Sequence, residues 1–401
     1  MSLERTYHGV RVVDLSENIA GPLACLILAD LGADVVKVEP PGTGEATRRL
    51  PPRWGDDSTV FLALNRNKRS AAVDLRTPAG RAAVARIARG ADVVVQSFRP
   101  GVAERLGVGF ERIAEVSPQV VYCSVSAFGE GALGRRLSGY DALIQAFTGI
   151  MEMTGDPEGR PARAAPSAVD LSTGLWAAVG IMAALAGRPY APGAQRVEAA
   201  LVDSGFFLLA HQIMGYLGTG SHPHRLGSAA PSTAPYEEFR TADGAVMVAA
   251  ATDRLFGRLC TVLELPGLAG DPRFRRVADR VAHRAELAAL IEQRLRGAPS
   301  AWWLERIAAA GVPVAPVQSL AAALAHPVTA ERGIVRDAAE GRIPGLRQLR
   351  LPFDTGAACA VRQPPALGEH TEEILTEAGL SPREIDRLRP STAREGTARP
   401  R

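Results

Sequence analysis

The chain has 401 residues, of which 46% are hydrophobic and 22% are charged, and its formal net charge is +3 at pH 7. This length exceeds what a single hydrophobic core usually supports, so we expect two or more domains. The small positive charge argues against a nucleic acid as partner, and no run of about 18 continuous apolar residues argues for a membrane span. Because its N-terminal segment is polar and carries no signal peptide, we expect a soluble cytoplasmic protein without a membrane partner.

Apolar segments typical of buried strands alternate with helical segments in the first half of the chain. The predicted strands cover residues 10–15, 34–39, 71–75, 92–96 and 120–125. Helices are predicted between them, then at 140–153 and, as one long helix, at 199–217. Apolar strands that alternate with helices predict a parallel sheet covered on both faces. We therefore predict an α/β protein in which residues 1–220 form the N-terminal part of a large Rossmann-like domain.

The chain changes character at residues 218–235, a stretch rich in Gly, Ser, Pro and His that predicts a linker. A hairpin is predicted at 239–251, and helices dominate the segment after it. Residues 221–312, which include the linker, are therefore predicted to form a smaller α+β domain. Residues 313–401 make up a third section, whose charged end predicts a frayed tail.

Neither the cysteines nor the histidines predict a metal site. Cys25, Cys123, Cys260 and Cys359 lie far apart, without the spacing of metal ligands or of a disulfide framework. The seven histidines form no catalytic set, and His222 and His224 of the predicted linker have no Cys, Asp or Glu at metal spacing. We therefore expect no metal and no permanently bound cofactor.

A glycine-rich loop after the fifth predicted strand raises the possibility of a dinucleotide site. Gly129, Gly131 and Gly134 match the G-x-G-x-x-G pattern. However, Arg135-Arg136 follows where an apolar helix start belongs, and no acidic ribose partner stands after a second strand. A surface loop is the favoured interpretation, and a nucleotide-dependent oxidoreductase is the alternative from another functional class.

Positively charged side chains recur close to the ends of the predicted strands. Residues 65–70 (NRNKRS) precede the third strand, and Arg76, Arg99 and Arg105 come after successive strands. A solvated turn is one interpretation of residues 65–70, but ligands that carry phosphate contact α/β sheets at strand ends and helix starts. Arginine offers bidentate donors for phosphate oxygens. Together these residues predict a ligand with several phosphates.

Asp170 stands between an apolar pair and a small polar run, just before the apolar segment 175–185. It is a good helix N-cap residue type, so one interpretation is that it only caps a buried helix. The alternative is a nucleophilic carboxylate, which the helix dipole would keep ionised and which the helix start would orient. The residues around Asp170 leave both interpretations open.

Many short segments, in the same order along the chain, resemble the family III CoA-transferases, the superfamily that includes formyl-CoA transferase, carnitine CoA-transferase and the acyl-CoA racemases. The resemblance covers residues 8–380. The matching segments are GVRVVDL (9–15), AGP (20–22), LGADVVKVE (31–39), NKRS (67–70), FRPG (98–101), SAFG (126–129) and TADG (241–244). Asp170 stands at the position of the nucleophilic aspartate of this family.

The resemblance implies an architecture and a set of site residues. The large Rossmann-type domain would be completed by the C-terminal section, and two ring-like chains would interlock as a homodimer. The substrates would be an acyl-CoA thioester and a carboxylic acid, and Asp170 would be catalytic. By position, the residues expected to bind CoA are Arg76, Ser97, Phe98, Arg99, Arg105 and Tyr140.

The implied reaction transfers CoA through an aspartyl-CoA thioester on Asp170. Backbone N–H groups around Leu171 and Ser172 are expected to stabilise the oxyanions. Ile19 stands where formyl-CoA transferase has a Gln, which favours an acceptor larger or more apolar than oxalate. The alternative within the superfamily is an α-methylacyl-CoA racemase. The racemase branch has a His-Asp pair where this chain has Tyr140-Asp141, so one proton-transfer base is missing.

Overall fold

Eight strands and nine helices form the first part of the computed structural model, which describes residues 3–353 and 361–389. The strands are β1 (Arg11–Leu15), β2 (Asp34–Glu39), β3 (Arg53–Trp54), β4 (Asp57–Ser58), β5 (Lys68–Ala72), β6 (Val93–Gln96), β7 (Val121–Ser126) and β8 (Gln195–Ala200). The helices are α1 (Ala20–Asp30), α2 (Thr59–Leu64), α3 (Pro78–Ile87), α4 (Val102–Arg105), α5 (Phe110–Val116), α6 (Asp141–Thr148), α7 (Ala168–Gly187), α8 (Leu201–Leu208) and α9 (Ala210–Thr219).

Six of these strands form one sheet in the order β5–β2–β1–β6–β7–β8, and every neighbouring pair is parallel. This is the strand order of a Rossmann sheet, so the predicted α/β fold with a parallel sheet is confirmed. β1, β6 and β7 are buried at nearly every position because their residues are apolar on both faces. The order reverses between β1 and β6, which creates the switch point where such sheets bind ligands.

Three elements differ from the sequence-based predictions. The helix predicted at 140–153 ends at Thr148 and turns follow it. β5 begins at Lys68, three residues before the predicted strand at 71, because its charged residues are paired inside the protein. The long helix predicted at 199–217 is instead β8 followed by two helices. β8 lies at the sheet edge, where only alternate residues of Gln195–Ala200 need to be apolar, and this hid the strand.

The middle of the chain forms a second compact unit around an antiparallel sheet in the order β11–β10–β9. Phe239, Phe256, Phe274 and Trp303 are almost fully buried in its core. The strands are β9 (Tyr236–Arg240), β10 (Ala245–Ala249) and β11 (Val314–Pro316), and the helices are α10 (Asp253–Val262), α11 (Pro266–Gly270), α12 (Val277–Ala282), α13 (Arg284–Leu295), α14 (Ser300–Ala309), α15 (Leu320–Ala325) and α16 (Pro327–Glu331).

The last section consists of β12 (Val335–Asp337), β13 (Arg347–Leu349), α17 (Thr371–Glu377) and α18 (Pro382–Leu388). Ile374 of α17 and Ile385 of α18 belong to the same hydrophobic cluster as Val13 and Val36 of the six-stranded sheet. The C-terminal helices therefore complete the core of the large unit. The outer part of the predicted tail, residues 390–401, lies outside the described residues.

The chain groups into one unit of residues 1–148, 164–218 and 333–401 and a second unit of residues 149–163 and 219–332. The boundaries of these units differ from the predicted domain boundaries at residues 220 and 312. One reason is that β11 pairs with β10, which keeps residues beyond 312 in the second unit. The other is that the Gly227 N–H donates to the Gly155 carbonyl, which attaches the segment around Gly155 to the same unit.

Helix α7 is long and apolar enough to cross a membrane by length and composition alone, with 33% of its apolar window buried. This is weak evidence for a membrane span, because the core helix of a soluble protein passes the same test. Leu175, Trp176 and Val179 of α7 are 44–51% exposed. An apolar part of α7 is therefore about half exposed in the described part of the chain.

Candidate active site

A cavity of about 380 Å³ lies at the switch point, beyond the carboxyl ends of β1 and β6. Parallel strands end at a common edge, so the loops after them converge there, and this volume is within the usual range of small-molecule sites. The lining residues are Glu17, Asn18, Ile19, Ala20, Gly21, Ser97, Phe98, Arg99, Pro100, Val102, Val125, Ser126, Ala127, Leu137, Ser138, Gly139, Tyr140, Asp170 and Leu201.

The first turn of α7 brings Asp170 to this cavity. The N-cap residue is Ser167, so Asp170 is the third residue of the helix, and the interpretation that it only caps α7 is wrong. Asp141, the first residue of α6, provides the cap instead. Its Oδ1 accepts the N–H groups of Val169 at 2.8 Å and of Asp170 at 3.2 Å. A carboxylate from another helix therefore satisfies the helix start that carries Asp170.

Asp141 is held in place by its own buried contacts. Asp141 is only 5% exposed, and its Oδ2 accepts a hydrogen bond from Gln145 Nε2 at 2.6 Å. The other amide atom of Gln145, Oε1, accepts the Ala164 N–H at 2.8 Å. Asp141 was missed as a capping residue because it lies 29 positions before Asp170 in the sequence. The only local signal was an acid at a helix start with Gln four residues later.

The carboxyl group of Asp170 is a weak acid in this environment. Burial, and secondly the negative charge of Asp141, raise the pKa of Asp170 to about 7. The position at the helix start therefore does not hold the pKa of Asp170 at or below its ordinary value. The N–H groups that would stabilise a charge at Asp170 already donate to Asp141.

The expected oxyanion donors at the start of α7 are also occupied. The Ala168 N–H donates to the Pro166 carbonyl at 2.8 Å, and the Leu171 N–H donates to the Ser167 carbonyl at 2.9 Å. The two N–H groups between them donate to Asp141. The Leu171 N–H therefore already has an acceptor, and an oxyanion contact from the N–H groups around Leu171 and Ser172 stays a prediction.

The structure brings only some of the predicted CoA-binding residues to the cavity. Ser97, Phe98, Arg99 and Tyr140 line it together with Asp170. Arg99 is an exposed arginine there, and Tyr140 is 65% exposed. Ser97, Phe98 and Arg99 follow β6, and Tyr140 precedes α6. The two loops that carry these residues therefore meet at the cavity.

Arg76 and Arg105 do not line the cavity. The Arg76 side chain is 80% exposed and pairs with Asp74 at 2.8 Å. Arg105, also exposed, donates from Nη1 to the Gly101 carbonyl at 3.2 Å. A contact of either arginine with CoA stays a prediction.

Residues 65–70 are neither a solvated turn nor a free phosphate site. Lys68 is 2% exposed and its Nζ donates to Asp14 Oδ2 at 2.9 Å. Arg66 pairs with Asp30 at 2.6 Å, and Arg69 pairs with Asp34 at 2.7 Å. Acidic side chains of the protein itself neutralise these cations, so the prediction of a phosphate site at residues 65–70 is wrong.

The remaining alternatives have no support at this cavity. Gly129, Gly131 and Gly134 do not line it, and the Glu130 N–H of that loop donates to Glu198 Oε1 at 2.7 Å. Within residues 3–353 and 361–389, no three His, Cys, Asp or Glu side chains cluster as metal ligands would. Cys25, Cys123 and Cys260 are free and buried, whereas Cys359 lies outside the described residues.

Comparison with known proteins identifies the family to which this geometry belongs. The family model described as CoA-transferase family III matches residues 7–371. Human succinyl-CoA:glutarate CoA-transferase is 35% identical over 376 residues, which cover 92% of this chain and 85% of that protein. Acetyl-CoA:oxalate CoA-transferase of Acetobacter aceti is 37% identical over 340 residues, which cover 84% of this chain and 87% of that protein. The crystal structure of a CAIB/BAIF family protein from Brucella suis is 36% identical, has a TM-score of 0.82, and is matched over 93% of this chain and 99% of that chain.

Proposed function

The chain belongs to CoA-transferase family III and is a CoA-transferase, and on this premise we propose that Asp170 is the nucleophile that carries CoA between the two acids. The observation that supports this most directly is the position of Asp170, a largely buried carboxyl group on the wall of the cavity at the switch point. A nucleophile needs such a site, because water must be kept away from an activated acyl group.

The proposed reaction uses the carboxylate form of Asp170 in each half. A carboxylate oxygen attacks the thioester carbonyl of the acyl-CoA, the C–S bond breaks, and CoA leaves as a thiolate while a mixed anhydride remains. The thiolate attacks the Asp170 carbonyl and displaces the donor acid, which leaves an aspartyl-CoA thioester. The acceptor carboxylate then attacks this carbonyl and releases the thiolate. The thiolate finally attacks the acceptor acyl carbon, which forms the new acyl-CoA and restores Asp170.

We further propose that Ser97, Phe98, Arg99 and Tyr140 bind the CoA portion of the substrate at the cavity. Arg99 can hold phosphate oxygens through two parallel N–H donors, and the exposed ring of Tyr140 offers an apolar face to the pantetheine arm. Arg76 and Arg105 remain candidates for the outer phosphates, because both side chains are exposed. No permanently bound cofactor is needed for this chemistry.

For the acceptor, we propose a carboxylic acid with a longer aliphatic part than oxalate. The cavity wall near the β1 end contains Ile19 and Ala20, and Leu137 and Leu201 also line it. Aliphatic walls favour methylene groups over a small acid that is polar throughout. Among the relatives, the names of two enzymes state glutarate and oxalate as their acids, so these two acids form a direct comparison.

Chemical trapping tests the proposed nucleophile. The protein is incubated with succinyl-CoA, treated with hydroxylamine or borohydride, and the modified residue is located by mass spectrometry. We expect the modification at Asp170, and we expect Asp170→Ala to lose both modification and transfer. Asp203→Ala, which removes an exposed acid of α8, is the control and should keep both. Modification elsewhere, or transfer by Asp170→Ala, would contradict the proposal.

The same assay distinguishes the racemase alternative and the acceptors. A racemase would give no adduct and would exchange the α-proton of the acyl group with deuterated water. Adding glutarate or oxalate after the donor shows which acid removes CoA from Asp170 faster. Faster release by oxalate would contradict the proposed acceptor class.

We also propose that two chains form a homodimer in the cytoplasm, without nucleic acid or membrane partners. Support comes from an exposed surface on α6, α7 and α8, which we call the α6–α8 apolar surface. Its rings contact one another: the ring centroids of Phe147 and Phe206 lie 6.4 Å apart, and those of Trp176 and Phe207 lie 4.9 Å apart. Apolar surfaces of this kind usually mark a protein interface. Its residues, each 42–61% exposed, are Leu143, Phe147, Leu175, Trp176, Phe206 and Phe207.

A further inference from the structure

The loop of residues 16–19, between β1 and α1, forms one wall of the cavity but has little stability of its own. Asn18 has a φ of +69°, a left-handed conformation that most residues other than glycine avoid and that Asn adopts more readily than they do. Ile19 stands at the N-cap of α1 and has no side-chain oxygen to accept a helix N–H group. The shape of this wall must therefore depend on contacts from outside the loop.

Side chains from three other parts of the chain make these contacts, and two of them, Glu45 and Lys37, are buried. The Asn18 N–H donates to Glu45 Oε2 at 3.0 Å, and the Glu17 N–H donates to Ser97 Oγ at 2.9 Å. The Ser16 carbonyl accepts a hydrogen bond from Lys37 Nζ at 2.9 Å. Of these contacts, the one from Glu45 acts directly on Asn18, the residue in the left-handed conformation.

Glu45 cannot easily move away from Asn18. It is 1% exposed, its Oε1 lies 3.8 Å from Lys37 Nζ, and the same oxygen accepts the Thr47 hydroxyl at 2.7 Å. Three acids and three bases share this buried cluster, so any displaced charge would lose its partner. The cluster consists of Asp14, Glu39, Glu45, Lys37, Arg48 and Lys68.

We propose that Glu45 is a positioning residue for CoA transfer: it holds Asn18 in the left-handed conformation and thereby fixes the wall formed by residues 17–19 around the substrate. The inference rests on the proposed function, because it assumes that transfer takes place in this cavity. Glu45 does not line the cavity itself. Its loss should therefore weaken substrate binding while the Asp170 carboxyl group remains in place.

Glu45→Ala tests this role by two independent readouts. Amide hydrogen exchange in a peptide that covers residues 15–20 should become roughly tenfold faster or more, because the Asn18 N–H loses a charged acceptor. The KM for acyl-CoA should rise several-fold more than kcat falls. Glu39→Gln is the matched control, since Glu39 carries a charge in the same cluster but contacts Arg48, Ser70 and the Glu45 N–H instead of the loop. Unchanged exchange in Glu45→Ala, or equally fast exchange in Glu39→Gln, would overturn the inference.

A second pair of variants covers the case in which Glu45→Ala does not fold. Asn18→Ala and Asn18→Gly both remove the Asn18 side chain, but only glycine adopts a positive φ without strain. We expect faster exchange at residues 15–20 and a higher KM in Asn18→Ala than in Asn18→Gly, and equal values would overturn the inference. Hydrogen exchange needs no substrate, so these results stand even if trapping at Asp170 fails, an outcome that would contradict only the proposed function.

Discussion

At the scale of single residues, Asp170 must be ionised to act as the proposed nucleophile, but its surroundings favour the protonated form. Burial beside Asp141 raises the pKa of Asp170 to about 7, so the folded protein holds this proton more tightly than an unfolded chain would. Its contribution to stability is therefore present at low pH and is lost as the pH rises from about 4 to about 7. Above that range the buried carboxylate is ionised and poorly solvated, which makes it a better nucleophile in the proposed reaction.

The first prediction concerns the pH dependence that follows from this pKa. Because Asp170 must be ionised to attack, kcat/KM of the wild type should rise with pH through about 7 and level off above it. Asp141→Asn removes the neighbouring charge but leaves the burial, so the pKa of Asp170 should fall part of the way towards its ordinary value. At pH 6, lowering the pKa of Asp170 by about half a unit raises the ionised fraction of its carboxyl group roughly two- to threefold.

The measurement is the pH–rate profile of kcat/KM between pH 5 and 9 for both proteins. Asp203→Asn serves as the control, because it removes an exposed acid of α8 and should leave the profile unchanged. A profile of Asp141→Asn with the same midpoint as that of the wild type would show that Asp170 does not control the reaction, or that Asp141 does not act on it.

At the scale of secondary-structure elements, the position of Asp170 depends on how α7 packs against α1. Gly174 lies one turn after Asp170, and a Cβ atom built there would come within 2.7 Å of the Ala20 carbonyl oxygen and 3.0 Å of Leu23 Cβ. Two helices approach this closely only where one of them lacks a side chain. Ala20 of α1 and Asp170 of α7 both line the cavity.

The second prediction is that Gly174→Ala separates α7 from α1. Because the clash involves a backbone atom, the helix itself must shift, and we expect a loss of about 1–3 kcal/mol in the free energy of unfolding. Transfer activity should fall as well, since Asp170 moves with the helix. Gly187→Ala is the control, because Gly187 ends the same helix with no heavy atom near its added Cβ. Chemical denaturation and kcat measure the two effects, and equal stability of both variants would contradict this packing.

The same elements explain what the sequence could and could not predict. The cavity loops could be located, because parallel strands end at one edge and apolar runs mark those strands. The partners of the charged residues could not be found by any local pattern. Arg69, which was considered a phosphate ligand, also pairs with Glu373, 304 positions later in the chain. Similarly, the cap of α7 comes from Asp141, and neither contact follows from periodicity or spacing.

At the scale of the whole molecule, the α6–α8 apolar surface needs an explanation that one chain does not offer. Phe147 and Phe207 are 58% and 61% exposed, and aromatic rings of this size contribute strongly to interfaces when they are buried. A second copy of the chain is the partner that the proposed homodimer supplies. If the two chains are interlocked, as the family resemblance implies, they cannot separate unless one chain opens.

The last prediction therefore concerns the exchange of subunits. Two preparations of the protein that differ in a tag are mixed and followed by native mass spectrometry. We expect dimers throughout, and no mixed dimers over a time in which the protein stays folded, because exchange between interlocked chains requires global unfolding. Refolding the mixture from denaturant, or expressing both chains together, should give mixed dimers and serves as the positive control. Rapid formation of mixed dimers without denaturant would contradict interlocking, whereas a monomeric mass would contradict the dimer itself and leave the α6–α8 apolar surface for another partner.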